Sequence, residues 1–204
     1  FGPVQYFIIY DKFAKHFKHN KIIIYFLPDN DFGENDFSNW KGSYRFRPYY
    51  KKINNNLYET FIPDFSVKNY SSFTKKIKVH LSKYFWSSNL FINLNYQYKI
   101  YRSNKKKINN NFSAYFDANL DQQKAAIFFL EKIIDNTDAK VFLVSIPRLS
   151  DFKKYQTNPN LNNTYWNDFF VKKDLDNKNF KFIDLIKYKP ANLNKIFLNC
   201  DGHW

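Results

Sequence analysis

The chain has 204 residues and a formal net charge of +14. The length suits one domain with a substantial core. The single cysteine, Cys200, excludes an internal disulfide, and the longest apolar runs, residues 22–27 and 141–146, are too short to span a bilayer.

The positive charge is carried by Lys; the only arginines are Arg45, Arg47, Arg102 and Arg148. With 24 Phe, 16 Tyr and many Asn and Ile, this is the residue set of AT-rich codons. A phosphate reader favours Arg for its bidentate contacts. No nucleic-acid partner is therefore expected. The sequence holds no Met and begins at Phe1, and is expected to be an internal piece of a longer protein.

Pro3 suits a first helical position. Phe7, Tyr10, Phe13, Ala14 and Phe17 recur at helical spacing, which predicts a helix over 4–19. His16 and His19 lie three apart on it without a third ligand nearby, so they read as a solvated cationic helix end. Residues 22–27, rich in Ile and closed by Pro28, read as a buried parallel strand. An acidic loop over 29–36 is expected at its C-terminal end, the edge where open α/β sheets bind ligands. Gly33 falls one position early for a calcium loop and the distal Glu is absent. No metal site is expected.

Residues 41–119 are polar, Tyr- and Lys-rich and without strand–helix alternation. They are expected to be a large insertion beside the active-site edge, within one domain over 1–204. An extended piece over 45–50, a hairpin through 54–56 and one or two helices within 73–101 are expected there. Arg45 and Arg47 are candidates for gripping an anionic substrate. Regularity returns at Asp121. Ala126, Ile127, Leu130, Ile133 and Ile134 form one helical face ending near Asn136. Residues 140–146 are a second buried strand, 163–172 a further helix and 180–185 a third strand. A short extended piece over 195–198 leads to the end of the chain. Alternation of helix and parallel-type strand implies an α/β fold, a three-layer α/β/α sandwich around a mostly parallel sheet.

The last six residues are Asn199, Cys200, Asp201, Gly202, His203 and Trp204. A carboxylate two residues from an imidazole can hold it in one tautomer, as in a Ser-His-Asp triad. A His steadied in this way acts as general base for a Ser. An Asn side chain, such as that of Asn30 after the first strand, can donate to a developing oxyanion. Cys200 reads as a packing residue beside this loop. Ser145 lacks the sharp glycine-flanked turn of a nucleophile. Asp31 reads as a brace for its own loop.

Together these segments resemble the SGNH, or GDSL-type, hydrolase family. Asn30-Asp31 looks like its Gly-x-Asn-Asp block, Asp201-Gly202-His203-Trp204 like its last block, and Phe1-Gly2-Pro3 like the tail of its second. The resemblance covers about residues 1–40 and 120–204. Pro28 stands where the family has Gly, the Asp–His spacing is one shorter than the common form, and the Gly-Asp-Ser nucleophile block is not in the sequence. The resemblance implies a flavodoxin-like sheet truncated at both ends, with Asn30 in the oxyanion hole, Asp201 and His203 catalytic, and the Ser upstream of Phe1. It implies a lipid or carbohydrate acyl ester as substrate and no cofactor. The competing reading is a non-catalytic basic module that binds nucleic acid or another polyanion.

Overall fold

A computed structural model describes residues 2–40, 47–54, 57–63, 112–162 and 164–188, with isolated positions at 94 and 98. The chain divides into two compact units, Phe1–Ile62 with Ser113–Trp204, and Pro63–Phe112.

The first unit is mixed α/β, a three-stranded parallel sheet flanked by helices. In chain order the elements are α1 (Pro3–Lys12), β1 (Lys21–Phe26), α2 (Pro28–Glu34), β2 (Tyr49–Asn54), β3 (Leu57–Phe61), α3 (Ala114–Asp117), α4 (Leu120–Asp135), β4 (Lys140–Ser145), α5 (Leu149–Thr157), α6 (Tyr165–Asp176) and β5 (Phe180–Asp184). The sheet order is β1-β4-β5, all parallel. The two Ile/Val-rich runs are neighbours, in a register that aligns Ile24 with Leu143 and Leu143 with Phe182.

Alternation of side chains along a strand gives the sheet two faces. Ile24, Phe26, Val141, Leu143, Phe180 and Phe182 share one buried cluster with Tyr10 of α1, Ile127 and Leu130 of α4, and Trp166 and Phe170 of α6. Trp166 is wholly buried, its ring edge-on to Phe26 at 5.7 Å and to Phe182 at 5.9 Å. Burying each such side chain contributes about 1.5–3 kcal/mol. The other face is more open: Ile23 is 57% and Tyr25 61% exposed.

α1 stops at Lys12, and a 3-10 turn over Ala14–His16 follows. The expected helix over 4–19 was too long: Phe13 and Phe17 keep helical spacing, yet both are exposed, so no packing extends the helix through them. α4 starts where Asn119 caps it, its side chain accepting from the Asp121 N–H at 2.8 Å. The helix expected over 163–172 begins at Tyr165 and continues to Asp176.

The expected hairpin is present: β2 and β3 are antiparallel. It docks through Tyr58 and Tyr50, with Tyr58 in a cluster with Val4, Ala125 and Phe129. The Asn35 side chain donates to the Pro48 carbonyl at 3.1 Å, and the Tyr50 N–H donates to the Asn35 carbonyl at 3.0 Å. Gly2 passes close to the same Asn35. A Cβ on Gly2 would lie 2.2 Å from Asn35 Oδ1 and 3.3 Å from the Asp31 carbonyl. The backbone of Gly2 suits any residue (φ −125°), so only space forbids a side chain. Gly2→Ala is expected to cost about 1–3 kcal/mol by overpacking, read as a lower denaturation midpoint with an unchanged m-value.

Candidate functional site

The segment after β1 was expected to be a loop. It is a helix, α2, with Leu27 as N-cap and Pro28 at its first position. Pro presets φ for that position, and Asp29 and Asp31 in the first turn complement the helix dipole. Asp31 reaches back to its own N-cap: its Oδ2 accepts the Leu27 N–H at 2.8 Å. The same oxygen accepts the hydroxyl of Tyr6, from α1, at 3.1 Å. Asn30 lies between these anchors, exposed, at the C-terminal edge of the sheet. Among the described residues its side-chain amide meets no hydrogen-bond partner, so its donors are available.

Two further ties hold α2. Asp29 pairs with Arg148 at 2.8 Å. Arg148 sits in the segment between β4 and α5, and its N–H donates to Asp151 Oδ2 at 2.7 Å. Asp151 in turn accepts the Ser113 hydroxyl at 2.5 Å. At the other end of α2, Glu34 pairs with Arg47. Burial pushes the Asp151 carboxyl above its ordinary range, against the lowering effect of the Ser113 and Arg148 hydrogen bonds.

Burial likewise pushes the Asp31 carboxyl from near 3.8 up to about 7, while the bonds from Leu27 and Tyr6 oppose the rise. A carboxyl whose folded pKa lies above its unfolded one binds more protons when folded. Its contribution to stability therefore falls as pH rises from about 4 to about 7, then stays level. Asp31→Asn keeps an acceptor oxygen but carries no charge. Relative to the parent it should gain stability across that window, by up to about 4 kcal/mol at roughly 1.4 kcal/mol per pH unit. Denaturation midpoints of both proteins at pH 4.5 and pH 8 check this; parallel pH profiles would contradict it.

Asn30 opens onto a cavity of about 730 Å³. The cavity runs along the edge of β1 turned away from β4, past residues 22–25, and is walled by Tyr6, Ile9 and Tyr10 of α1 and Ile133 of α4. Its polar end holds Asn30, Asp31, Glu34 and Arg47. Of the residues singled out by sequence, Asn30 and Arg47 therefore share one cavity. The Arg47 charge is matched by Glu34, and its guanidinium lies 5.4 Å from the Tyr49 ring centroid. Its evident work is to latch the hairpin to α2. Arg45, Asp201 and His203 lie outside the described residues, as does the extended piece over 195–198; of the helices expected within 73–101, only Leu94 and Tyr98 are described, and both are helical.

No protein-family model matches this chain, and no curated protein or solved structure matches it. Among the described residues no cluster of His, Cys, Asp and Glu could hold a metal ion, and no helix is long and apolar enough to cross a membrane.

A second polar cluster lies at the same edge of the sheet, but inside the core. The register sets Phe26 beside Ser145 and Ser145 beside Asp184. Asp184 Oδ1 accepts the hydroxyls of Ser145, at 2.8 Å, and Tyr115. Its Oδ2 accepts Asn167 Nδ2 at 2.9 Å. Ser145 is fully buried, which removes it as a nucleophile. Burial, then the Asp184 charge and hydrogen bond, hold the Tyr115 phenol well above its usual range. The cluster is a cross-brace joining β4, β5, α3 and α6. Its pairings span 17 to 69 residues of sequence, so no local signal announces it. Tyr6 and Arg148 were missed for the same reason.

Proposed function

We propose that this chain is part of an SGNH-type serine ester hydrolase or O-acyltransferase. The observation that carries the reading is Asn30: an available amide, on a braced helix turn, at the C-terminal edge of a parallel sheet and facing a cavity. Such a donor, fixed in advance, stabilises the oxyanion of a tetrahedral intermediate. His203 would take the proton of a Ser and return it to the leaving alcohol, with Asp201 orienting the imidazole. The Ser would come from a Gly-Asp-Ser block upstream of Phe1. The open edge of β1 supports this, because a further strand seated there would fill the cavity along residues 22–25 and present its C-terminal end at the polar end beside Asn30. The finer fold is then a three-layer flavodoxin-like sandwich, whose second helical layer would cover Ile23 and Tyr25.

The substrate class is an acyl ester of a lipid or carbohydrate, cleaved or transferred without cofactor. The full-length protein should turn over p-nitrophenyl acetate with little dependence on salt. The competing polyanion binder would show no turnover, and its affinity would fall steeply as salt is added.

A further inference from the structure

Tyr6 aims its hydroxyl at the junction of β1 and α2, where two acceptors meet it. Asp31 Oδ2 lies at 3.1 Å and the Tyr25 carbonyl at 3.2 Å. A phenol has one proton to donate, so it serves these acceptors in competition. The Tyr25 carbonyl belongs to the side of β1 turned away from β4. The next carbonyl, that of Phe26, receives the Ile146 N–H from the β4 side, and successive carbonyls of a strand point to opposite sides. One hydroxyl thus stands between the sheet's open edge and the carboxylate that caps the Asn30 turn.

We infer that Tyr6 is a positioning residue whose hydroxyl proton is directed to Asp31 when that carboxyl is ionised and to the Tyr25 carbonyl when it is protonated. In the ionised state the Tyr6 O–H and the Leu27 N–H both point at Asp31, and the edge carbonyl is open to another donor. In the protonated state Asp31 donates its own O–H to Tyr6 Oη, and Tyr6 donates to Tyr25, closing the edge. The proton gained or lost by Asp31 is exchanged with water, and no other covalent bond changes. The tightness of the Asn30 turn and the availability of the β1 edge are then linked.

The surroundings favour such a switch. Burial places the Asp31 midpoint at about 7. Tyr6 bonds Asp31 and Tyr50 lines a small void with it, and burial pushes both phenols upward, which keeps them neutral. On its own helix, Asp29 is paired with Arg148 and Glu34 with Arg47. α4 presents Ala125, Ala126 and Phe129 towards Asp31, all apolar.

The role assigned to Tyr6 in holding Asn30 for catalysis rests on the proposed function; the proton switch does not, and it is tested without turnover. NMR titration from pH 4 to 9 would follow the Asp31 carboxyl carbon and the Phe26 amide nitrogen, which shares its peptide group with the Tyr25 carbonyl. In the parent both should titrate with one midpoint. In Tyr6→Phe the Asp31 midpoint should move upward, because a bond that favours the carboxylate is gone, and the Phe26 amide should stop following it. In Asp31→Asn the Phe26 amide should hold its acid-end position at every pH. A Phe26 amide indifferent to Asp31 in the parent, or one that tracks it equally in Tyr6→Phe, overturns the inference. So does an Asp31 carboxyl that does not titrate in this range.

Discussion

Asp184→Ala should lower the stability of the protein by about 2–6 kcal/mol, the cost of leaving two buried donors without their acceptor. Asp184 is 5% exposed and accepts from three side chains, on β4, α3 and α6. Truncation leaves the Tyr115 hydroxyl and the Asn167 amide without their acceptor, and each orphaned buried donor costs about 1–3 kcal/mol. Ser145 is the least affected, since its hydroxyl can pair with Tyr115, 3.0 Å away. Domains of this kind are stable by about 5–15 kcal/mol in all, so the variant should be near the threshold of folding. Asp184→Asn should fall between, because it keeps two polar atoms but turns one from acceptor to donor towards its neighbours. Urea denaturation at a fixed pH reads both variants. A loss below about 1 kcal/mol in the Ala variant would show that the cluster is not a structural brace.

Asn30→Ala in the full-length protein should lower kcat by roughly 10²–10³, the usual scale for one oxyanion donor. The fold should be indifferent to the change. Asn30 is exposed and its side chain makes no hydrogen bond among the described residues, while the turn that carries it is held by others. Leu27 is bonded to Asp31 at 2.8 Å and Asp29 to Arg148 at 2.8 Å. KM should change little, because the oxyanion forms only on the way to the transition state. A loss of stability as large as the loss of rate would instead make Asn30 a structural residue.

The strands were legible because burial in a parallel sheet demands long β-branched runs. Residues 22–26 and 141–144 satisfy that demand by composition alone. α4 was legible because its apolar residues repeat at helical spacing from Ala125 to Ile134. α2 was not, since Asp, Asn and Gly signal a turn. Only Asp31 reaching back to the Leu27 N–H, with Pro28 at the first position, makes a helix of it. α5 was missed because its buried residues are few, Asp151 and Phe152. Its first turn is held by the hydrogen bond from Arg148 to Asp151 rather than by an apolar stripe. At the candidate site the position of Asn30 at the sheet's edge could be read from its place after a strand. The groups that hold it could not: Tyr6 is 25 residues from Asp31, and Arg148 lies still further from Asp29 in sequence.

The most direct measurement is turnover of p-nitrophenyl acetate by the full-length protein carrying His203→Ala, with the melting curve recorded on the same sample. Turnover lost with melting unchanged is the predicted result, because without His203 no group remains to take the proton from the attacking Ser. Undiminished turnover in the folded variant would contradict the proposal that this chain is part of a serine ester hydrolase or acyltransferase.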